Sequence, residues 1–375
     1  MNLEDLCRGH RVLFINSIRT DQPSGGNSSS TLLRTRLRAV STFRELNLGP
    51  DATPASGRLQ SVLFVLASMP AVLLIALLRT TGQTWLEFFI RSSPWYAIRC
   101  IAARVRHNPE VVVFNHHPTF PFIWLFGSAH CVLLWHDVPS LKRDSAVTLR
   151  RSARRCAWFE RRVIALADSS MTFSFSDATF LRRMHRTVVG VLPVVQARPT
   201  PRDSTPDDHG LLLVGNWRRA ENAEGALEFF DRLAATQPTC PLAFHVAGTG
   251  ADSFVERARS RSLALRNLRI KSTGRYGELR DFQEFALLAP LSRGAGIKLK
   301  TIEAWCAGIP VVGTSQAFTG MSPTIWSAGG LRVKNIQELV DLCRHPAKLN
   351  NACKTLDPLG AFRKYQDALE RTQHQ

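Results

Sequence analysis

The sequence Arg293-Gly-Ala-Gly-Ile-Lys-Leu-Lys-Thr-Ile-Glu-Ala-Trp-Cys-Ala-Gly-Ile-Pro-Val-Val-Gly-Thr314 predicts a glycine loop, a helix and a buried strand. The apolar run 285–291 before it is short enough for another buried strand. Apolar residues recur at helical spacing over 297–306, and Gly308 and Pro310 end that helix. Together these pieces form one βαβ unit, which implies a parallel pair of strands.

The loop and helix of this unit suit a phosphate group. Gly294 and Gly296 leave room for a ligand against the main chain. A helix that begins after such a loop offers unpaired N–H groups and a partial positive charge. Lys298 and Lys300 add full charges, and Glu303 suits hydrogen bonds from the hydroxyls of a sugar. An ordinary βαβ loop with two solvated lysines has the same pattern, because glycine loops alone are weak signals.

Composition narrows the classes of protein. The 375 residues are 45% hydrophobic and 21% charged, which is typical of a globular chain of two domains. The net charge of +18 predicts attraction to polyanions such as anionic lipid, nucleic acid or phosphorylated substrates. The eight cysteines are scattered, so we expect reduced thiols in the cytoplasm. The acidic start of the chain predicts no signal peptide.

The first half begins with the strand 11–16, a glycine-serine loop over 21–30 and a helix over 31–43. This order opens a doubly wound α/β domain, in which ligands bind beyond the carboxyl ends of the strands. Gly25 and Gly26 are therefore candidates for close approach to a ligand. An ordinary surface loop fits the same residues.

The segment 59–78 has twenty residues without a charge between Arg58 and Arg79, which is just enough to span a bilayer. Polar residues and Pro70 within it, with α/β patterns on both sides, argue against a spanning helix. We prefer a pair of core helices, or an apolar surface that enters one leaflet with arginines at its edges.

Histidines follow two apolar runs that predict neighbouring strands. His116 and His117 follow the run 111–114, while His136 and Asp137 follow the run 131–135. The carboxyl edge of an α/β sheet is where ligands bind. Three roles stay open, namely metal ligands, structural or capping histidines, and a polar edge that contacts a substrate.

The rest of the chain repeats the α/β pattern after a basic helix and a linker. Arginines over 150–162 follow a helical pattern, which is typical of a solvated face or of a contact with nucleic acid or anionic lipid. The proline-rich stretch 196–210 is the best domain boundary. Beyond it, strands alternate with helices, so both halves are Rossmann-like domains around parallel sheets.

The second half resembles the group 1 family of GT-B glycosyltransferases, which are retaining enzymes that use nucleotide sugars. The resemblance rests on motifs over 211–321, which are Leu213-Val-Gly-Asn-Trp217, Phe244-His-Val-Ala-Gly-Thr-Gly250, the segment 294–308 and Pro310-Val-Val-Gly-Thr314. The first half is more weakly similar. The resemblance implies an α/β fold with two Rossmann-like domains that face a central cleft.

Site residues follow from this resemblance. Glu303 matches the family glutamate that holds the ribose of the donor, and His116 matches the histidine near the reaction centre, with His117 as its substitute. The first glutamate of the family pair is replaced by Ala295. The resemblance implies His116, Lys298 and Arg218 as catalytic residues. It implies as donor-binding residues Gly215, Arg219, Gly294, Ala295, Gly296, Ile297, Lys300 and Glu303. The acceptor side or its loops would hold Gly25, Gly26, His117, His136 and Asp137.

The sequence therefore predicts a glycosyltransferase that transfers a sugar from a nucleotide diphosphate with retention, without a metal or other cofactor. The predicted partners are a nucleotide sugar, a glycan or lipid-linked acceptor and an anionic membrane on its cytoplasmic face, and not nucleic acid. The predicted domains are 1–198 and 211–355, with a linker over 199–210 and a helix over 356–375 that crosses back to the first domain. Two alternatives are a non-catalytic relic that binds sugar nucleotides and a basic α/β protein that binds nucleic acid.

Overall fold

The computed structural model of the protein describes residues 2–16, 25–48, 94–136, 138, 149–185, 189–193, 199, 210–237, 239–292 and 297–373. The chain divides into two compact units, Val195–Arg371 and Met1–Val194 with Thr372–Gln375. Each unit is built on a parallel sheet of six strands, so the prediction of two Rossmann-like α/β domains is confirmed. The exact domain limits, the linker and the crossing helix stay predictions.

The sheet of the first unit has the strand order β2-β1-β3-β4-β5-β6, and all of its pairs are parallel. After β1 the chain adds β2 on one side and then continues with β3 on the other side. This change of direction makes a topological switch point between β1 and β3, where α/β proteins bind ligands. The strands are β1 (Arg11–Asn16), β2 (Thr42–Asn47), β3 (Val111–Asn115), β4 (His130–Trp135), β5 (Ser169–Thr172) and β6 (Val189–Val191).

Helices and one 3-10 helix connect these strands. The interior strands are apolar runs that are buried along their length, as expected of a parallel sheet covered on both faces. The described helices are α1 (Leu3–Cys7), α2 (Gly25–Val40), α3 (Pro94–His107), α4 (Leu149–Leu166) and α5 (Phe175–His185), and the 3-10 helix is His117–Phe126.

The start of the first unit differs from the sequence prediction in two ways. Gly25 and Gly26 lie in the first turn of α2 and not in a loop, and β2 replaces the predicted end of that helix. Low helix propensity at 25–30 is overridden by tertiary contacts, because Leu33 and Leu37 of the same helix are buried in the core. The part of the predicted loop over 17–24 lies outside the described residues.

The sheet of the second unit has the order β12-β11-β10-β7-β8-β9, which is the strand order of a Rossmann fold with its switch point between β7 and β10. Its strands are β7 (Gly210–Val214), β8 (Ala243–Ala247), β9 (Arg269–Thr273), β10 (Ala286–Ala289), β11 (Val311–Thr314) and β12 (Gly330–Val333). Its helices are α6 (Ala220–Thr236), α7 (Ala251–Arg261), α8 (Leu263–Asn267), α9 (Leu299–Cys306), α10 (Pro323–Gly329), α11 (Ile336–Cys343), α12 (Pro346–Lys354) and α13 (Pro358–Gln373), with 3-10 helices at Leu279–Phe282 and Ser315–Phe318.

The apolar segment 59–78 lies outside the described residues, as does most of the predicted linker. Within the described ranges, none of the helices has the length and apolar character that a membrane span requires.

Candidate active site

The carboxyl edge of the second sheet brings together two loops at its switch point. The loop after β7 runs from Gly215 to Arg219 and enters α6. The segment after β10 leads to α9, whose N-cap is Lys298. Helix α6 packs closely against the segment after β10. A Cβ added at Gly225 of α6 would lie only 2.1 Å from the Pro290 carbonyl oxygen, so a larger residue would clash there. This closeness joins the two loops into one edge.

Helix α9 is held rigidly from its buried side. The Thr301 hydroxyl donates to the carbonyl oxygen of Ala317 at 2.7 Å, and the Trp305 indole N–H donates to the carbonyl oxygen of Gly329 at 2.8 Å. Both side chains are fully buried. The polar side chains of the first turns, Lys298, Lys300 and Glu303, are therefore carried on a fixed helix.

Lys300 ties this helix to the loop after β7. Its ammonium donates to the carbonyl oxygen of Val214 at 3.1 Å and to Asn222 Oδ1 at 3.0 Å. The amide of Asn222 in turn donates to the Asn216 carbonyl oxygen at 3.0 Å, so one lysine fixes both sides of the switch point. The sequence prediction assigned Lys300 to the diphosphate, and the structure gives it these contacts within the protein.

Glu303 lies one turn beyond Lys300 and is half-buried. Burial raises the pKa of its carboxyl, and the nearby Lys300 opposes that rise. Burial and the Glu303 charge together raise the pKa of the Tyr276 phenol to about 12, so the two groups interact electrostatically. A half-buried carboxylate is a strong acceptor for hydroxyl groups of a ligand.

The cations of this edge lie on the loop after β7 and at the start of α9. Arg218 and Arg219 are exposed, and the Arg218 side chain passes over Gly250, whose Cβ would lie 3.2 Å from Arg218 Cγ. The loop keeps its shape because the Arg218 backbone N–H donates to Asn216 Oδ1 at 3.1 Å. Ile297 and Lys298 are half-buried at the entry to α9, while the predicted loop residues Gly294, Ala295 and Gly296 lie outside the described residues.

Among the described residues, the centre of the carboxyl edge of the first sheet is occupied by amide side chains. Asn16 and Asn115 end the adjacent strands β1 and β3, stand opposite each other in the register and are buried. The Asn115 amide donates to Asn16 Oδ1 at 2.9 Å and to the Ser30 hydroxyl at 3.0 Å, and Asn115 Oδ1 lies 2.7 Å from His136 Nε2. Sequence reasoning missed these asparagines, although both apolar strands visibly end in Asn.

His116 follows Asn115 with a strained backbone. Its φ of 79° and ψ of 144° fall in a region that normally only glycine occupies. The strain is held by three hydrogen bonds, since the His116 N–H donates to the Leu134 carbonyl oxygen and its own carbonyl oxygen accepts from the N–H and hydroxyl of Thr119. Strain of this kind costs of order 1–3 kcal/mol and is concentrated at functional sites.

The structure places His116 and His136 side by side, with ring centroids 5.4 Å apart in an edge-to-face arrangement. His117 begins the 3-10 helix, and its side chain and the whole of Asp137 lie outside the described parts. Within those parts, no group of three or more His, Cys, Asp or Glu side chains is suited to hold a metal ion.

Comparison with known proteins links the charged edge to one family. Residues 208–345 match the sequence family described as "Glycosyl transferases group 1". A search of curated proteins finds no match.

Solved structures similar to this chain extend the comparison to both units. The sucrose-phosphate synthase of Thermosynechococcus elongatus has a TM-score of 0.61 at 14% identity and covers 97% of this chain and 99% of its own. Anabaena Alr3699/HepE, solved with UDP and glucose, has a TM-score of 0.53 at 13% identity and covers 96% and 99%. TarM, solved from S. aureus also with UDP, has a TM-score of 0.54 at 10% identity and covers 71% of this chain. The chain spans 54% of TarM. At these identities the likeness shows the fold.

Proposed function

We propose that this protein transfers a sugar from a nucleoside-diphosphate sugar to an acceptor hydroxyl, because residues 208–345 match the family of glycosyl transferases group 1 and the chain has the GT-B fold. The observation that carries the proposal is the edge between β7 and β10, where the exposed Arg218 lies on the loop after β7 and the half-buried Lys298 and Glu303 lie on the first turns of α9. UDP is the first nucleotide to test, because HepE and TarM were solved with it.

Glu303 is the residue that would hold the ribose. Its carboxylate accepts two hydrogen bonds when ionised, which matches a pair of neighbouring hydroxyls. Burial raises its pKa, so hydrogen bonds from the ribose would replace the water that the folded protein has removed. The ribose hydroxyls thus favour the ionised form of this group.

The cations would act on the departing diphosphate. When the bond between the anomeric carbon and the phosphate oxygen breaks, negative charge grows on the diphosphate. Lys298 at the N-cap of α9 and the exposed Arg218 supply positive charge that interacts more strongly with the transition state than with the ground state. This chemistry requires no metal, and we propose that transfer proceeds with retention, as the family resemblance implies.

Lys300 has a supporting part in this proposal. Because its ammonium bonds to Val214 and Asn222, it keeps the loop after β7 in register with α9. Its charge also offsets that of Glu303. We assign it to positioning of the donor site, while Lys298 meets the phosphate.

An anionic membrane is the proposed place of the acceptor, which would be lipid-linked or a glycan at the surface. Residues 1–194 contain 24 Lys and Arg against 12 Asp and Glu. On α3, Ile98, Ile101 and Val105 recur at helical spacing with exposures of 57%, 46% and 78%, while Cys100 and Ala103 face the core. Arg104 and Arg106 flank this outward stripe and are exposed. An apolar stripe between arginines is typical of helices that lie in a membrane interface.

Vesicle binding tests the membrane contact. We expect vesicles rich in phosphatidylglycerol to retain the protein at low salt, and the double variant Ile101→Glu, Val105→Glu to lose that retention. Leu263→Glu is the control, because Leu263 is 76% exposed in the second unit. Equal losses in both variants, or no retention of the wild type, would count against the contact.

The donor is tested by thermal unfolding with a panel of nucleoside diphosphates and their sugars. A ligand at about 100 times its Kd stabilises the fold by roughly 2.7 kcal/mol. We expect a shift with one nucleoside diphosphate, lost in Glu303→Gln and kept in Glu256→Gln, which changes an exposed carboxylate of α7. Release of that nucleotide from its sugar on addition of acceptor identifies a transferase. Binding of the nucleotide sugar without release of the nucleotide would support the alternative of a non-catalytic relic. A thermal shift with nucleic acid alone would support the alternative of a basic protein that binds nucleic acid.

A further inference from the structure

Four elements of the first unit form one helical layer on one face of its sheet. The connections from β3 to β4, β5 and β6 all step in the same direction across the sheet, so right-handed crossovers place the 3-10 helix, α4 and α5 on the same face. Helix α3 belongs to this layer, because the 3-10 helix packs against it as well as against α4. Helix α2 connects β1 to β2 in the opposite direction and therefore lies on the other face.

Exposed apolar side chains are concentrated on this layer. Of the eight large apolar side chains that are exposed among the described residues, Leu263 alone lies elsewhere. Such a concentration is typical of a surface that contacts another molecule or a membrane. Besides the three residues of the α3 stripe, the layer exposes Trp124 of the 3-10 helix, Trp158 and Leu166 of α4, and Met184 of α5.

The apolar side chains include one at the same end of every element. Each of the four elements leads into the start of the next strand, so its last residues lie at the amino edge of the sheet. Val105, Trp124, Leu166 and Met184 each stand within the last three residues of their element, with exposures of 78%, 66%, 57% and 37%. The apolar surface therefore reaches the edge of the sheet opposite to the carboxyl edge, where α/β proteins bind ligands.

The charge of the layer has one sign. Its four elements contain eleven arginines and two acidic residues, Glu160 and Asp177, which are both buried. Arg106 of α3 and Arg162 of α4 are exposed. The Arg162 guanidinium lies 5.6 Å from the centre of the exposed Trp158 ring, so cation and apolar ring form one outward group.

Two further carboxylates lie beside this surface at the amino edge, and both are held within the protein. Asp168, which follows α4, accepts the Cys131 backbone N–H at 2.7 Å. Glu110, which precedes β3, accepts the Arg11 backbone N–H at 2.8 Å and lies 3.6 Å from the Arg11 guanidinium. The arginines of the layer outnumber these carboxylates, which disfavours symmetric pairing with a second copy of the chain and favours an anionic occupant.

We propose that the amino-edge ends of α3, the 3-10 helix, α4 and α5 together form a docking surface for an anionic membrane, with the carboxyl edge of the first sheet turned away from the bilayer. Tryptophan and arginine beside aliphatic residues are typical of segments at the headgroup level. Nucleic acid would contact the arginines and leave Val105, Leu166 and Met184 in water, so lipid matches both kinds of residue. The proposal rests on the membrane contact of the proposed function, which it extends from α3 to the layer and gives a direction.

This direction restricts the acceptor under the proposed function. Strand β3 has five residues, so the two edges of the sheet are roughly 15 Å apart. An accepting hydroxyl at the carboxyl edge would stand off the bilayer by about that distance. The end of an extended lipid-linked glycan would reach it, whereas a single sugar at the headgroup level would not.

Quenching of tryptophan fluorescence by brominated phosphatidylglycerol vesicles tests the surface without any substrate. Bromine on the acyl chains quenches the tryptophans that enter the bilayer. We expect the quenching of the wild type to decrease in Trp124→Phe and in Trp158→Phe, and to stay the same in Trp326→Phe. Trp326 is a matched control, because it lies on α10 of the second unit with the Arg332 guanidinium 5.2 Å from its ring centre.

Tryptophans added at the two ends of one helix test the direction. Ser176 lies in the first turn of α5, at the carboxyl edge, and Arg183 lies in its last turn, at the amino edge, and both are exposed. We expect the vesicles to quench the added tryptophan of Arg183→Trp and to leave that of Ser176→Trp unquenched. Equal quenching of the two, or stronger quenching of Ser176→Trp, would overturn the proposed direction.

Vesicle affinity supplies a second measurement. Leu166→Glu places a charge in the apolar surface, and we expect it to weaken binding to phosphatidylglycerol vesicles at least about tenfold. Ala39→Glu is the control, because Ala39 is exposed on α2, on the other face of the sheet. Equal binding of the two variants would reject the surface, as would Trp158 covered by nucleic acid or by a second copy and not by vesicles.

Failure of the docking surface and failure of the proposed function are separate results. A protein that shows the expected quenching and transfers no sugar would keep the docking surface and reject the transferase. A transferase whose tryptophans the vesicles do not quench would keep the proposed transfer and reject the docking surface.

Discussion

The two sheets of this protein present their carboxyl edges with different chemistry. At the β1–β3 switch point the groups are two buried amides, a buried hydroxyl and the half-buried imidazole of His136, joined by hydrogen bonds of 2.7–3.0 Å. At the β7–β10 switch point the groups are charged, since Arg218 lies on the loop after β7 and Lys298, Lys300 and the half-buried Glu303 lie on the first turns of α9. Both edges belong to parallel sheets of six strands, so the difference lies in the residues that end the strands and in those of the following loops and helices.

Under the proposed function, this difference corresponds to a division of labour between the two edges. Diphosphate groups carry charge and require cations at a helix N-terminus, as at the second edge. Sugar hydroxyls are neutral and are distinguished by the direction of each hydrogen bond, as at the first edge. The family match covers the charged edge and does not extend to the first edge.

Removal of a phosphate-facing cation should have the largest effect. Under the proposed function, Lys298→Ala removes a positive charge that stabilises the negative charge developing on the leaving diphosphate. We therefore expect kcat to fall by about 10²–10³. Lys334→Ala is the matched control, because that side chain is 88% exposed on the same unit. A steady-state assay with the preferred nucleotide sugar measures both. Equal activity of the two variants would remove Lys298 from the mechanism.

Two substitutions of the strained His116 should abolish activity equally but differ in their effect on stability. His116→Gly and His116→Ala both remove the imidazole, so we expect both to lose transfer. Only glycine accepts φ of 79° without strain, so His116→Gly should be roughly 1 kcal/mol more stable than His116→Ala, after the entropy cost of glycine is subtracted. Urea unfolding of the two variants measures this difference. An alanine variant that is the more stable would show that the backbone is not strained.

The smallest expected effect is a pH dependence of stability at Glu303. Burial raises its pKa in the folded state, so the unfolded chain releases this proton at lower pH than the folded protein does. Stability is therefore lost as pH rises through the ordinary carboxyl range towards the raised pKa. Glu303→Gln removes this loss, and the unliganded variant should be more stable than the wild type at pH 8.

The higher stability of Glu303→Gln should vanish below about pH 4, where the Glu303 carboxyl of the wild type is protonated in both the folded and the unfolded state. Thermal unfolding at a series of pH values measures it, with Glu256→Gln as the exposed control. A variant less stable than the wild type at pH 8 would contradict the burial of an ionised carboxylate.

Much of the fold could be predicted from sequence because buried parallel strands are short apolar runs between polar loops. The edge strand β2 was missed, since it is exposed on alternate residues and follows a helical pattern without a break. Gly25–Ser30 was predicted as a loop, because local propensity does not include the bond from Asn115 to the Ser30 hydroxyl.

The sequence could predict which types of residue form the site, but not which contacts these residues make. The sequence pattern predicts that a lysine shortly before Glu303 binds phosphate. The structure shows instead that Lys300 donates hydrogen bonds to Val214 and Asn222. The sequence does show that the apolar runs of β1 and β3 each end in an asparagine. Their partnership depends on the register that sets Asn16 opposite Asn115, which the sequence does not contain.

Isothermal titration of UDP into the full-length wild type, Glu303→Gln and His116→Ala tests the division of labour most directly. We predict that UDP binds the wild type and His116→Ala with equal affinity and binds Glu303→Gln at least about tenfold more weakly, as expected when a half-buried hydrogen-bonding carboxylate is lost. Transfer should be lost in both variants. Absence of UDP binding to the wild type, or equal weakening in both variants, would contradict the account.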